Sequence, residues 1–298
     1  MKLIKKLFDY YSNNNKEYSD IEFICVVGAG AFGEVWKCEY KNVIRACKVI
    51  NKKRMKEDDL YLLKNEVEIW KNARHPNIVC LYDVITIEPK LYCISDLMEE
   101  TLFDIHVRMS RMDLKPRIIT IIKQLIQISD AMSYLHSFNI IHRDLKSQNI
   151  LCKEEQMFVS DFGLSRYYEN EMTSETGSYR WMAPEVVRHE QYDKSCDVYS
   201  FAMLHYEMIT LCVPFASYSP VEVAFSVARG RRPPLPPGLP EDLKILIENC
   251  WNASKRVRPT FEEINKDLIN FKTKKSSFGT LEMASKPMKR IPSKDCIF

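Results

Sequence analysis

Glycine is scarce in this chain, with only 8 among 298 residues. Charge of one sign is scarce as well, because 43 Lys and Arg against 40 Asp and Glu leave a formal net charge of +3. A net charge this small does not imply binding to nucleic acid or to a membrane surface. A transmembrane helix needs about 20 apolar residues, and no apolar run of this chain approaches that length. The N-terminal MKLIKKLF lacks the apolar stretch of a signal peptide. We therefore expect no nucleic acid partner and no transmembrane segment.

The ten cysteines lack a pattern of their own. None forms a C-x-x-C pair, and they lie singly within apolar runs such as FICVV and LYCIS. This arrangement excludes the common zinc sites and a disulfide-rich secreted scaffold, and it predicts reduced thiols in a cytoplasmic protein. What the sequence does have is an apolar fraction of 46%, which is enough for a substantial core.

Three of the few glycines, Gly28, Gly30 and Gly33, lie together in VVGAGAFGEVW. The G-x-G-x-x-G spacing occurs in the strand-to-helix turn of dinucleotide-binding folds and in the phosphate-covering hairpin of protein kinases. Residues after Gly33 alternate between apolar and polar, which predicts a strand, and the segment before Gly28 is also β-prone. A dinucleotide fold needs an acidic residue about 20 positions later, where this chain has Lys48 in an apolar run. The hairpin is therefore favoured.

A helix is predicted over EDDLYLLKNEVEIWKNA, and its apolar face contains a glutamate. Glu66 lies four residues after Leu62 and four before Trp70, so all three share one face. A carboxylate directed at a core is costly unless it is paired, and Lys48 on the preceding strand is the obvious partner. The alternative is that Glu66 reaches solvent at the edge of the apolar stripe, and these residues alone leave both open.

The segment IIHRDLKSQNIL places a cluster of polar residues between apolar ones. Shortly afterwards, FVSDFGLS places Asp161 between an apolar strand and a glycine. Asp144, Asn149 and Asp161 offer the oxygen ligands that hard cations such as Mg²⁺ prefer. A loop role would be reasonable for Asn149 or Asp161 alone, but it is a poor explanation for both at this spacing.

Taken together, these segments resemble a protein kinase over residues of about 20 to 272. The resemblance rests on the ordered set GAGAFGEV, ACKVI, the helix glutamate, HRDLKSQN, DFG and MAPE. KSQN, GSYRWMAPE, HPNIV and RVRPTF are similar to the tyrosine-kinase-like group of serine/threonine kinases, the group of Raf and the mixed-lineage kinases.

The resemblance implies an α+β fold with two lobes, and the pattern of strands and helices along the chain agrees with it. We expect a small β-rich N-lobe with one helix over residues 19–95 and a larger, mainly helical C-lobe over residues 98–272. Residues 1–18 are then an N-terminal extension. Residues 273–298 are rich in Ser, Lys and Pro and are predicted to be a disordered tail.

An ATP site follows from the resemblance. The glycine-rich backbone would cover the phosphates, and Lys48, fixed by Glu66, would hold the α- and β-phosphates. Val35, Ala46 and Leu151 would enclose the adenine, and aligning LYCISDLMEETL with the family puts Ser95 at the gatekeeper position, with the hinge after it. The implied ATP-binding residues are Gly28, Ala29, Gly30, Ala31, Phe32, Gly33, Val35, Ala46, Lys48, Ser95, Asp96, Met98 and Leu151.

The same resemblance implies how the phosphate is transferred. Asp144 would accept the proton of the substrate hydroxyl, and Lys146 would steady the transferred phosphate. Asn149 and Asp161 would bind Mg²⁺, with Mn²⁺ as the alternative ion. The implied activity is transfer of the γ-phosphate of Mg-ATP to serine or threonine of protein substrates in signalling, by positioning and charge stabilisation.

Further positions are implied to hold or regulate this machinery. Glu185 would pair with Arg258, and Asp197 would hold the backbone of the catalytic loop. Between Asp161 and Glu185 lies an activation segment with several hydroxyls, and Arg143 would help to receive a phosphate from it. The phosphorylation candidates are Thr173, Ser174 and Thr176. We hypothesise that an upstream kinase or trans-autophosphorylation orders the segment there; the alternative is that they are solvated loop hydroxyls.

The sequence bears on three alternatives to a serine/threonine kinase. Lys146, two residues after Asp144, is typical of serine/threonine kinases, but dual-specificity or tyrosine phosphorylation stays open. A pseudokinase scaffold would typically have lost Lys48, one of the catalytic or metal-binding residues, or the glycines, and none is lost here. A dinucleotide oxidoreductase would not explain the later motifs.

Overall fold

The computed structural model of the chain describes residues 20–30, 33–55, 57–112, 118–161 and 178–277. The chain divides between Glu99 and Glu100 into two compact units. The predicted extension at residues 1–18 lies outside the described residues, and so does most of the predicted tail.

Antiparallel strands dominate the first unit. Its elements are β1 (Ile21–Gly30), β2 (Gly33–Tyr40), β3 (Val43–Asn51), α1 (Glu57–Asn72), β4 (Leu81–Ile87) and β5 (Lys90–Ser95). The strands form one sheet in the order β1-β2-β3-β5-β4. The predicted alternation in β2 is confirmed, because Cys38 and Tyr40 are buried and Trp36 packs against the same cluster.

The second unit is mainly helical. It begins with β6 (Glu100–Thr101), α2 (Leu102–Arg111), α3 (Ile118–Ser137), β7 (Ile150–Lys153) and β8 (Gln156–Val159). It continues with α4 (Pro184–Val187), α5 (Ser195–Thr210), α6 (Pro220–Ala228), α7 (Glu241–Cys250) and α8 (Phe261–Ser277). The three short strands form a second sheet in the order β6-β7-β8. The predicted fold class, α+β with a β-rich first part and a helical second part, is confirmed.

Two helices form the core of the second unit. In α3, Ile121, Leu125, Ile128, Met132 and Leu135 are buried, as their helical spacing predicted. Helix α5 is buried along fourteen of its sixteen residues. A helix that is buried on all sides must be surrounded by other elements, so α5 is a central support to which loops can be attached. The last helix of the described residues, α8, ends at Ser277, five residues beyond the predicted boundary of the domain.

Candidate active site

The glycine-rich hairpin is present, with Gly30 of β1 opposite Gly33 of β2. Gly28 faces Val35, and a register shift between Val26 and Gly28 marks a β-bulge just before the motif. Ala31 and Phe32, at the turn, lie outside the described residues.

The two described glycines of this hairpin differ in what surrounds them. A Cβ at Gly28 would only contact the Cβ of Val35 at 3.7 Å, which is an ordinary distance. A Cβ at Gly33 would lie 1.8 Å from the backbone oxygen of Val49, and Gly33 has a φ of +154°. Gly33 is therefore required by the packing of the hairpin against β3, whatever the hairpin binds.

One face of the first sheet carries four of the predicted ATP-binding side chains. Val35 is directly opposite Lys48, and Ala46 is directly opposite Ser95. Directly opposed residues project from the same face, as do residues two apart on one strand, so these four side chains share a face. Their neighbours Trp36, Cys47 and Ile94 project from the other face into the apolar cluster. The strand period thus separates a core face from a face available for a ligand.

Lys48 lies next to a buried thiol on this face. Cys93 of β5 is its direct partner in the sheet. Burial raises the pKa of the Cys93 thiol to about 12, and the nearby Lys48 ammonium opposes that rise. Helix α1 carries Glu66, but its side chain lies outside the described part of the structure, so the Lys48–Glu66 pair stays a prediction.

The residues after β5 are held by the sheet. Ser95 is buried, and the Asp96 carboxylate accepts hydrogen bonds from Arg45 Nη1 at 2.6 Å and from Tyr82 Oη at 2.9 Å. The Arg45 guanidinium also stacks over the Tyr82 ring, 3.6 Å from its centroid. The Asp96 side chain is thus engaged on the sheet, which leaves its backbone and that of the half-buried Met98 for the predicted adenine contact.

In the second unit, a predicted catalytic residue and a predicted metal-binding residue both contact the carboxylate of the predicted base, Asp144. Lys146 Nζ lies 2.7 Å from Asp144 Oδ2, and both side chains are about one-fifth exposed, at 18% and 20%. Asn149 Nδ2 donates to the same oxygen at 2.9 Å and to the Asp144 backbone oxygen at 2.7 Å. Because the Asn149 nitrogen is used in this way, its amide oxygen is the atom directed to other partners.

The residue before Asp161 is bonded to this cluster. Ser160 donates to the Asn149 carbonyl from both its N–H, at 3.0 Å, and its hydroxyl, at 2.9 Å. His142 Nε2 lies 3.0 Å from the Ser160 carbonyl oxygen. Asp161 follows directly, exposed and with a φ of 55°. This conformation is uncommon for a residue with a side chain and recurs at functional sites.

The donor set of this region fits a hard cation. Asn149 and Asp161 supply amide and carboxylate oxygens, which Mg²⁺ prefers over sulfur or nitrogen ligands. Within the described residues there is no group of three or more His, Cys, Asp or Glu side chains able to hold a metal ion. A cation held by one amide and one carboxylate would need further oxygen ligands from water or phosphate, as Mg²⁺ commonly takes.

Asp197 on α5 holds the start of the loop that carries Asp144. Its two oxygens accept from the backbone N–H groups of His142 and Arg143, each at 2.8 Å, and His136 Nε2 lies 2.9 Å from Oδ2. Arg143 has a φ of 71°, so the loop turns sharply where Asp197 holds it. The predicted role of Asp197 as the anchor of this backbone is confirmed.

The predicted pair of Glu185 and Arg258 is also confirmed. Arg258 donates through two nitrogens to the two oxygens of Glu185, at 2.6 and 2.9 Å, with both residues buried. Such a fork is the geometry in which an arginine recognises a carboxylate best. Arg258 also donates to the backbone oxygens of Asn252 and Ser195, so the pair ties α4 to the start of α5.

The remaining predicted site residues lie in β7 or outside the described part of the chain. Leu151 is half-buried in β7, opposite Thr101 and Phe158. Residues 162–177 lie outside the described part, including the phosphorylation candidates Thr173, Ser174 and Thr176.

One polar residue next to the site was not predicted. Glu207 on α5 contacts Ser147, in the loop that carries Asp144, and its signal was a single carboxylate in the mainly apolar FAMLHYEMIT.

Comparison with known proteins decides the family. Residues 21–268 match the family described as "Protein tyrosine and serine/threonine kinase". The chain belongs to this protein kinase family. The superfamily predicted from the motifs is thereby confirmed, and the relatives are consistent with its tyrosine-kinase-like group. The dinucleotide-binding interpretation of the glycine motif is excluded.

Curated relatives of the chain occur in a plant and in Dictyostelium discoideum. The chain is 35% identical to serine/threonine-protein kinase STY17 of Arabidopsis thaliana over 80% of its own length and 42% of the relative. It is 37% identical to serine/threonine-protein kinase VIK of the same plant, over 85% and 60%. It is 33% identical to dual specificity protein kinase shkE of Dictyostelium discoideum, over 80% and 35%. The chain spans about half the length of the curated relatives it matches.

No helix among the described residues is long and apolar enough to cross a membrane.

Proposed function

We propose that this chain transfers the γ-phosphate of ATP to serine or threonine hydroxyls of protein substrates. The observation that carries the proposal is the cluster in which Lys146 and Asn149 both contact the Asp144 carboxylate, with Ser160, the residue before Asp161, bonded to the Asn149 carbonyl. Phosphoryl transfer needs a base that orients the hydroxyl and positive charge near the moving phosphate, with little covalent work by the protein. Asp144 provides the first and Lys146 the second.

In this proposal the ATP base and phosphates lie on the ligand-facing side of the first sheet. Lys48 binds the α- and β-phosphates, since it lies on that face directly opposite Val35, and the backbone around Gly28 lies over the phosphates. Val35, Ala46 and Leu151 enclose the adenine. The full set of residues proposed to bind ATP is Gly28, Ala29, Gly30, Ala31, Phe32, Gly33, Val35, Ala46, Lys48, Ser95, Asp96, Met98 and Leu151. Glu66 is proposed to fix Lys48.

Asn149 and Asp161 are the residues proposed to hold a divalent cation. Mg²⁺ fits their oxygen ligands, and Mn²⁺ is the alternative with the same preference. When bound, the cation neutralises charge on the nucleotide phosphates. Asn149 keeps its orientation through its two hydrogen bonds to Asp144, so one amide serves both the base and the cation.

Dual specificity is the second candidate for the acceptor. Its support is that shkE, 33% identical over 80% of this chain, is named a dual specificity kinase, whereas STY17 and VIK are named serine/threonine kinases. Lys146, two residues after Asp144, favours serine and threonine. The pseudokinase scaffold is disfavoured because the base, the phosphate-binding lysines and the cation ligands are all present.

Regulation and location are proposed on narrower grounds. Phosphorylation at Thr173, Ser174 or Thr176, by an upstream kinase or in trans, would order the activation segment. A cytoplasmic location is supported by eight cysteines that are free thiols among the described residues. Cys212, which is disulfide-bonded in the structure, departs from the expectation of reduced thiols.

The test is phosphate transfer from γ-labelled ATP with Mg²⁺ by the purified chain and by Asp144→Asn, with phosphoamino-acid analysis. Label on serine or threonine that disappears in Asp144→Asn is the expected result. Label on tyrosine as well would move the protein to dual specificity. Nucleotide binding without any transfer, from a chain phosphorylated on its activation segment, would favour the scaffold instead.

A further inference from the structure

Glu207 is a completely buried carboxylate in the central helix of the second unit. It lies near the end of α5, and its side chain is 0% exposed. An ionisable group without water must be satisfied by protein donors, or its burial costs several kcal/mol. The groups that donate hydrogen bonds to Glu207 therefore indicate its structural role.

Each oxygen of Glu207 binds a different segment of the chain. Oε1 accepts a hydrogen bond from the Ser147 hydroxyl at 2.5 Å, and Oε2 accepts one from Trp181 Nε1 at 3.1 Å. The buried Nδ1 of His106, on α2, lies 3.7 Å from Oε1 and forms no hydrogen bond. Among the residues that the structure describes, Ser147 and Trp181 are thus the two donors bonded to the carboxylate.

Ser147 places the first of these bonds inside the proposed catalytic loop. It lies between Lys146 and Asn149, the two residues that contact the Asp144 carboxylate. Asp197 holds the other end of that loop, at His142 and Arg143. Asp197 and Glu207 are ten residues apart on α5, or about 15 Å along the helix axis, so one rigid helix holds the loop at both ends.

Trp181 places the second bond at the end of the predicted activation segment. It follows directly on a short 3₁₀ turn, Ser178–Arg180, and is 6% exposed. Ser200 of α5 donates to the Trp181 backbone oxygen at 2.8 Å. Arg180 donates to the backbone oxygens of Pro214, Phe215 and Tyr218. Both the backbone and the ring of Trp181 are thereby fixed on α5.

We infer that Glu207 is a positioning residue that couples the end of the activation segment to the catalytic loop. A displacement of Trp181 alters its hydrogen bond to Oε2 of the Glu207 carboxylate. The hydrogen bond between Ser147 and Oε1 of the same carboxylate must then change as well. The inference rests on the proposed function where it concerns turnover. The coupling itself is a property of the fold.

The first test is kinetic. Ser147→Ala and Trp181→Phe each remove one donor while keeping most of the packing, and both are expected to lower kcat by about 10- to 100-fold through misplacement of the loop. KM for ATP should stay within about twofold, because the residues proposed to bind the phosphates lie elsewhere. Ser129→Ala is the matched control, since Ser129 is an equally buried serine on α3 bonded to Ile126 and Asn265.

The second test does not depend on activity. Hydrogen–deuterium exchange would be followed in peptides covering residues 142–149 and 178–183 of the full chain. Ser147→Ala should speed exchange at 178–183, and Trp181→Phe should speed exchange at 142–149, whereas Ser129→Ala should do neither. Glu207→Gln should retain most protection at both, because an amide can accept from Trp181 and donate to Ser147.

The outcomes separate this inference from the proposed function. The coupling would be overturned if each substitution speeds hydrogen exchange only in the peptide that contains it. It would also be overturned if Ser147→Ala and Trp181→Phe lower kcat no more than Ser129→Ala does. A chain phosphorylated on its activation segment that shows the crossed exchange effects but transfers no phosphate would retain the coupling and contradict the proposed activity.

Discussion

Gly28 and Gly33 lie five positions apart in the same hairpin, yet their surroundings differ. The backbone oxygen of Val49 occupies the space that a side chain at Gly33 would need, whereas only Val35 is near the corresponding position at Gly28, at a normal distance. The packing of the strands thus explains one glycine. The other has no packing requirement, which supports a role toward a ligand.

Alanine at these two positions should therefore have opposite effects. Gly28→Ala is expected to leave the unfolding free energy unchanged or raise it by up to about 1 kcal/mol, and to weaken ATP binding by about tenfold. Gly33→Ala is expected to destabilise the chain by about 1–3 kcal/mol through backbone strain and overlap with β3. Thermal unfolding and calorimetric titration with ATP would measure both. Equal destabilisation by the two variants would contradict this distinction.

His205 on α5 should make stability depend on pH. Burial lowers its pKa from 6.5 to about 3, so the folded protein keeps this imidazole neutral while the unfolded chain protonates it. Between these values the unfolded state binds the additional proton, so stability falls as pH falls, by up to about 1.4 kcal/mol per pH unit. His205→Leu should remove this component.

The measurement is urea denaturation of the parent chain and His205→Leu at several pH values from 7.5 to 5. Other groups titrate in both proteins, so the informative quantity is the difference between them. It should change in favour of the variant as the pH falls below about 6.5. A difference that is constant with pH would show that His205 is not held neutral.

At the scale of elements, the buried pair of Glu185 and Arg258 connects α4 to α5. Arg258→Met would leave a buried carboxylate without its cation and should cost about 3–5 kcal/mol of unfolding free energy. The double variant Glu185→Gln with Arg258→Met should recover part of this loss, because the remaining group is then neutral. Chemical denaturation would measure each variant.

An exposed pair on the same unit provides the control for that experiment. Arg188 Nε lies 3.1 Å from Glu190 Oε1, and the two side chains are 41% and 54% exposed. Exposed pairs are screened by water, so Arg188→Met should cost less than about 1 kcal/mol. Comparable losses from Arg258→Met and Arg188→Met would mean that burial does not determine the strength of the Glu185–Arg258 pair.

At the scale of the whole molecule, the backbone amides most strongly protected against hydrogen exchange should be concentrated in α5. Buried on almost every residue, this helix is also the attachment point for the catalytic loop and for the segment from Trp181 to Glu185. Amides in such an element open only with extensive unfolding, so the α5 peptides should be among the slowest to exchange in the full chain. Peptides of β1, where Ile24, Val26 and Val27 are exposed, should exchange much faster. Similar rates in both would contradict this picture.

Individual residues show how far the sequence could be interpreted. Lys48, Asp144, Asn149 and Asp161 were predicted from residue type and order, and the structure shows Asn149 bonded to Asp144 and to Ser160, the residue before Asp161. The Glu185–Arg258 pair lies 73 residues apart in sequence, and only the resemblance to the family could predict it. Glu207 was missed because its partners, Ser147 and Trp181, are ordinary residues of two distant segments.

The sequence alone determined the family, the class of fold and the residue types of the candidate site. These follow from local features, namely strand and helix periods and the order of short polar motifs, which neighbouring residues encode. The tertiary structure decided which residues share a face of the first sheet, why Gly33 must be glycine, and how α5 holds two segments through Asp197 and Glu207. Those depend on strand register and on buried hydrogen bonds between residues far apart in the chain, which exist only after packing brings them together.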